Sequence, residues 1–136
     1  MMASAVRAAR RRVLVAEDEY LLAKKIVSEF VKLSIETIGP ASTVKRALDL
    51  VEHGGHLDGA LLDIRLRDDM IFPVAEVLWA RGVPFVFTTG YSQEAIAIPN
   101  RYKHVARFEK PLDPVQVARA LFSDGGQNPV KQTVDP

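Results

Sequence analysis

The feature that most restricts how this chain can fold is an alternation along its length. Short, unbroken apolar runs are each followed by a longer stretch with helical periodicity. The first run, Val13-Leu14-Val15-Ala16, has no polar partner at alternate positions, the pattern of a strand buried on both faces. Residues 20–33 then place Leu22, Ile26, Phe30 and Leu33 on one helical face, with Lys24, Lys25, Ser28 and Lys32 opposite. The pattern repeats. Strands are predicted at 12–16, 35–38 (stopped by Gly39-Pro40), 57–62, 84–88 and 105–109. Between them, Ser42 or Thr43 caps a helix carrying Val44, Ala47, Leu48 and Val51 that ends at Gly54-Gly55. Pro73 opens another, with Val74, Val77 and Leu78, that ends near Gly82. A fourth helix over 91–98 is cut short by Pro99. Asp113 caps a last one, with Pro114 at its first position, Gln116 as a capping-box partner and Val117, Ala118 and Leu121 on its buried face. Strand-helix alternation of this kind predicts an α/β fold: a flavodoxin-like, doubly wound, five-stranded parallel sheet of order 2-1-3-4-5 with helices on both faces.

Length and composition narrow the class. At 136 residues, with 48% hydrophobic and 26% charged residues, the chain suits one globular domain. The absence of cysteine excludes disulfides, thiolate-bound zinc and thiol catalysis. A formal net charge of +1 argues against direct nucleic-acid binding. No apolar run approaches the roughly 18 residues of a membrane span, and none has the length of a signal-peptide core, so a cytoplasmic location without membrane insertion is expected. Residues 1–11 read as a flexible basic arm, 12–122 as the domain and 123–136 as a disordered polar tail.

Ligands of open parallel sheets bind beyond the carboxyl ends of the strands. There this sequence places Glu17 and Asp18, then Asp63, then Thr88, Thr89 and Gly90, and finally Lys110 before Pro111. Each alone would pass for a turn residue, a helix cap or a solvated charge. Together they bring three carboxylates, a hydroxyl and an ammonium to one rim. Crowded carboxylates raise one another's pKa unless a cation is present, and hard oxygen donors suit Mg2+ (or Mn2+) with a phosphoryl oxygen as further ligand.

The segments Val13-Leu14-Val15-Ala16-Glu17-Asp18-Glu19, Leu61-Leu62-Asp63, Phe87-Thr88-Thr89-Gly90-Tyr91 and Phe108-Glu109-Lys110-Pro111 resemble those of response-regulator receiver domains, over 12–122. The resemblance implies a stand-alone receiver of a two-component system or phosphorelay. Asp63 corresponds to the phospho-acceptor, and Glu17, Asp18, Asp63 and the backbone carbonyl of Arg65 to the Mg2+ ligands. Thr89, followed by small Gly90, corresponds to the switch hydroxyl, and Lys110 to the phosphoryl-binding lysine, joined to Pro111 by a cis bond. The implied partners are a histidine kinase or histidine phosphotransfer protein and an unnamed downstream protein, with room for a phosphorylation-dependent dimer. The receiver would promote its own Mg2+-dependent phosphorylation and dephosphorylation without being a multiple-turnover enzyme.

Three positions depart from the family pattern. Arg107 stands where an aromatic switch partner is usual, the Pro and Gly common after the aspartate are missing from Arg65-Leu66-Arg67-Asp68-Asp69-Met70, and Pro99 interrupts the fourth helix. Arg107 is therefore the candidate switch partner. Two other readings use the same residues. A small phosphatase with an aspartate nucleophile would need a second acid two residues on, where Arg65 stands. A receiver-like module working without phosphorylation would have no use for Asp18, Asp63, Thr89 and Lys110 together. Neither G-x-G-x-x-G nor G-x-x-x-x-G-K occurs, which removes the usual nucleotide-binding turns.

Overall fold

The computed structural model describes residues 10–90 and 97–126. Five strands form one parallel sheet: β1 (Arg11–Ala16), β2 (Ile35–Ala41), β3 (Gly59–Asp63), β6 (Phe85–Thr89) and β7 (Arg107–Glu109). Their spatial order is β2-β1-β3-β6-β7, the predicted 2-1-3-4-5 arrangement. A two-stranded antiparallel pair, β4 (Arg65–Leu66) and β5 (Asp69–Met70), stands apart just after β3. The helices are α1 (Tyr20–Lys32), α2 (Val44–His53), α3 (Phe72–Ala80) and α4 (Pro114–Gly126), with a 3-10 turn at Asn100–Tyr102.

Alternation along the strands feeds two cores. Leu14, Leu62, Phe85 and Phe87 pack with Ala47 and Val51 of α2 and Val74, Ala75 and Leu78 of α3. Val13, Val15, Leu61 and Val86 pack on the other face with Ile26 and Phe30 of α1 and Val117 and Leu121 of α4. Helix ends follow the sequence signals at two places. Thr43 Oγ1 accepts the Arg46 N–H at 3.0 Å, and an Asp113 carboxylate oxygen accepts the Val115 N–H at 2.9 Å.

Several boundaries differ from expectation. β2 does not stop at Gly39-Pro40 but runs through it to Ala41, over a cis Gly39–Pro40 bond, with a register shift against β1 between Leu14 and Ala16. It can do so because β2 is an edge strand, where a missing N–H leaves no ladder bond unmade. Leu33 lies outside the α1 stripe as an exposed C-terminal cap, and Ala23 fills the buried face instead. The loop after Asp63 is the β4–β5 hairpin rather than irregular chain. The last helix continues to Gly126, past the boundary expected at 122. Most of the helix expected over 91–98, the arm up to residue 9 and the tail from 127 lie outside the described residues. Among the described residues no helix is long and apolar enough to cross a membrane.

Candidate functional site

β1 and β3 lie side by side in the sheet, with Ala16 opposite Leu62, so the residues that follow β1 meet the end of β3. Ligand oxygens of Glu17, Asp18 and Asp63 all lie within 4.8 Å of one another. Glu17 and Asp63 are buried, at 3% and 1% exposure, and Asp18 is half-buried. Lys110 enters from the far edge of the sheet, beyond β7. Its Nζ is 2.7 Å from Asp63 Oδ2, 3.1 Å from Glu17 Oε2 and 3.1 Å from Glu19 Oε2. An ammonium has three donors, so all three are committed to carboxylates. The Lys110 N–H donates to the Thr89 carbonyl at 2.9 Å, and the Lys110–Pro111 bond is cis.

The charges are unequal. Burial pushes the Glu17 carboxyl up to about 7; the Glu19 N–H, which donates to Glu17 Oε2 at 2.9 Å, opposes this, the Asp63 charge adds to the rise, and Lys110 opposes it. Burial works against the Lys110 ammonium, but the Asp63 and Glu17 carboxylates outweigh it and hold the group above the ordinary lysine range. One ammonium therefore faces three carboxylates, one of them costly to ionise.

The hairpin after Asp63 supplies backbone groups. The Ile71 N–H donates to the Ile64 carbonyl at 2.8 Å, which marks Ile64 and Ile71 as a hydrogen-bonded pair. In an antiparallel ladder the next pair, Arg65 and Met70, is then a non-bonded one. The ladder thus leaves the Arg65 carbonyl unused, while the Arg65 N–H lies 3.4 Å from Asp63 Oδ1. The Arg67 N–H donates to Asp18 Oδ2 at 2.8 Å. The three clustered carboxylates make an all-oxygen donor set, and Glu17 is destabilised as an anion until more positive charge arrives. The residues present fit a hard divalent cation.

The structure brings Glu17, Asp18, Asp63 and Lys110 together, and Arg65 reaches them through its backbone. Thr89 is buried at the end of β6, opposite Glu109 in register, with Gly90 half-buried after it. Thr88, opposite Asp63, is buried with a hydroxyl that has no partner among the described residues. Arg107 is exposed opposite Phe87, and among the described residues no hydrogen bond or ion pair joins it to Thr89 or to the carboxylates. The Arg65 side chain is exposed. Sequence reasoning missed Glu19 and Arg67. A third acid directly after Glu17-Asp18 was a usable signal for the first; for Arg67, whose contacts are 25 and 49 residues away in sequence, there was none.

No family model matches the sequence, and no curated protein matches it. Solved structures do. SdrG from Sphingomonas melonis Fr1 is 38% identical, with a TM-score of 0.72, over 83% of this chain and 94% of that one. A BeF3-activated conformation of SdrG from Pseudomonas melonis Fr1 is 39% identical, with a TM-score of 0.64, over 81% and 92%. A response regulator receiver protein from Sinorhizobium medicae WSM419 shares 20% identity and the fold, with a TM-score of 0.67, over 94% and 97%. With this identity to SdrG over nearly its full length, the predicted strand order and the acidic rim beside Lys110, the chain belongs to the response-regulator receiver family.

Proposed function

We propose that this receiver takes a phosphoryl group onto Asp63 from a phosphohistidine of a histidine kinase or phosphotransfer protein, and that the modification changes its binding to a protein partner. The observation that carries the reading is Lys110 Nζ at 2.7 Å from Asp63 Oδ2, inside a buried group of carboxylates. In the transfer, an Asp63 oxygen bonds to phosphorus as the phosphorus–nitrogen bond breaks and the imidazole takes that electron pair. Glu17, Asp18, Asp63 and the Arg65 carbonyl are the residues that would hold Mg2+ (or Mn2+). The ion supplies charge neutralisation for the phosphoryl oxygens. Lys110 already touches the accepting carboxylate, so its ammonium can follow the negative charge as it moves onto the phosphoryl group. The phosphoryl group adds nearly two negative charges and three acceptors, and the hydroxyl of Thr89, at the end of β6, would donate to one of them. The BeF3-activated conformation of the SdrG relative supports an activating event of this kind. Phosphatase chemistry gains no support: position 65 carries an exposed arginine where the second acid would stand.

The test is incubation with Mg2+ and a small acyl phosphate, followed by intact-mass measurement. Wild type should gain one alkali-labile phosphoryl adduct and Asp63→Asn none. An adduct that survives the substitution, or none in wild type, overturns the reading.

A further inference from the structure

The Arg67 side chain has an arrangement that phosphoryl chemistry does not by itself explain. Arg67 is the first of the two residues linking β4 to β5, and its φ is +55°, a left-handed value where hairpin turns favour glycine. Its guanidinium leaves this hairpin and crosses to the loop after β2, where Nε–H donates to the Ser42 carbonyl at 3.2 Å and Nη2 lies 3.4 Å from Ser42 Oγ. Its backbone N–H turns the other way and donates to Asp18 Oδ2 at 2.8 Å. One residue thus ties the hairpin to the neighbouring loop with its side chain and holds an acidic-cluster oxygen with its main chain. Ser42 offers a carbonyl and a hydroxyl, so the tie is a mechanical anchor rather than an ion pair.

We propose that Arg67 is a positioning residue for the divalent cation: anchored on Ser42, it holds its N–H on one oxygen of Asp18 and so keeps the other oxygen turned toward Asp63 and Glu17. This rests on the metal-binding reading above. Without the anchor the turn is free to drift, the Asp18 carboxylate regains rotamer freedom, and the ion must restrict it on binding. Losing one such immobilisation corresponds to about three- to tenfold weaker binding. Electrostatics alone has the opposite sign, since removing a positive charge from the rim of an acidic site strengthens cation binding.

The experiment is a Mn2+ titration of the full chain, with free Mn2+ read by electron paramagnetic resonance, on wild type, Asp18→Asn, Arg67→Gly, Arg67→Met and Arg67→Lys. Glycine accepts the left-handed φ, keeps the N–H and removes the anchor together with its charge, whose loss by itself would tighten binding. Methionine keeps the side-chain length without donors, and lysine restores one donor. Wild type should bind one ion and Asp18→Asn should bind far more weakly. The Gly and Met variants should each bind about three- to tenfold more weakly than wild type, with Lys between. Gly and Met variants that bind as tightly as wild type or tighter, or a Lys variant no better than Met, overturn the inference while leaving the metal site standing. A wild type that binds no Mn2+ overturns both.

Discussion

Glu17 is the most informative residue to perturb, because the fold buries a carboxylate that the proposed chemistry needs ionised. Its pKa rises from 4.5 to about 7, and the linkage sign follows from which state holds the proton. Between those values the unfolded chain has released the proton and the folded chain retains it. Stability therefore falls as pH rises from about 4.5 to about 7 and then levels off. At about 1.4 kcal/mol per pH unit the span is about 3 kcal/mol, an upper value because the Lys110 ammonium, 3.1 Å away, offsets part of the cost of ionising Glu17. In Glu17→Gln the position stays neutral at every pH. The difference between the two proteins isolates this group from all other carboxylates. In metal-free protein the variant should gain about 1–3 kcal/mol over wild type at pH 8 relative to pH 5. For a domain of this size that is a rise of several degrees in melting temperature. Thermal melts at pH 5 and pH 8, in chelator and in excess Mg2+, test this. Mg2+ should stabilise wild type more at pH 8 than at pH 5 and should help the Gln variant less. Equal pH dependence in the two metal-free proteins would refute the argument that burial controls Glu17.

Other substitutions probe the remaining parts of the structure. Lys110→Met leaves the buried Asp63 and Glu17 facing each other without their ammonium; a loss of about 3–5 kcal/mol is expected in metal-free protein at pH 8, shrinking toward pH 5, by urea unfolding. Phe87→Ala empties a fully buried site between Phe72, Phe85 and Tyr102, whose ring centroids lie 5.9, 5.5 and 6.2 Å away, and should cost about 3–5 kcal/mol in the same assay. Gly39→Ala places a methyl group 2.8 Å from the Ala41 nitrogen and 3.0 Å from the Val15 oxygen at a φ of +103°; about 1–3 kcal/mol should be lost, whereas an unchanged unfolding midpoint would contradict the tight β1–β2 approach.

Much of this protein could be read locally. Apolar runs such as Val13–Ala16 and Phe85–Phe87 declare strands buried on both faces, because any polar side chain there would lose its water. Thr43 and Asp113 declare helix starts, because a short oxygen-bearing side chain satisfies a free N–H within its own turn. Strand ends in a parallel sheet share one rim, so Glu17, Asp18, Asp63, Thr89 and Lys110 could be placed on that rim from their spacing alone. Boundaries were less legible where a neighbour decided them. Residues 39–41 join β2 because that strand lies at the edge, and residues 65–70 form a hairpin because Ile64 and Ile71 pair. What only the tertiary structure decided is how these charges meet. Lys110 finds Glu17 at a distance of 93 residues along the chain, Glu19 joins as a third carboxylate, and Arg67 bridges Ser42 and Asp18. Local sequence declares which groups will be charged and which will be buried; their energies depend on neighbours brought close by the sheet, where low polarisability and short distances turn ordinary residue types into a coupled site.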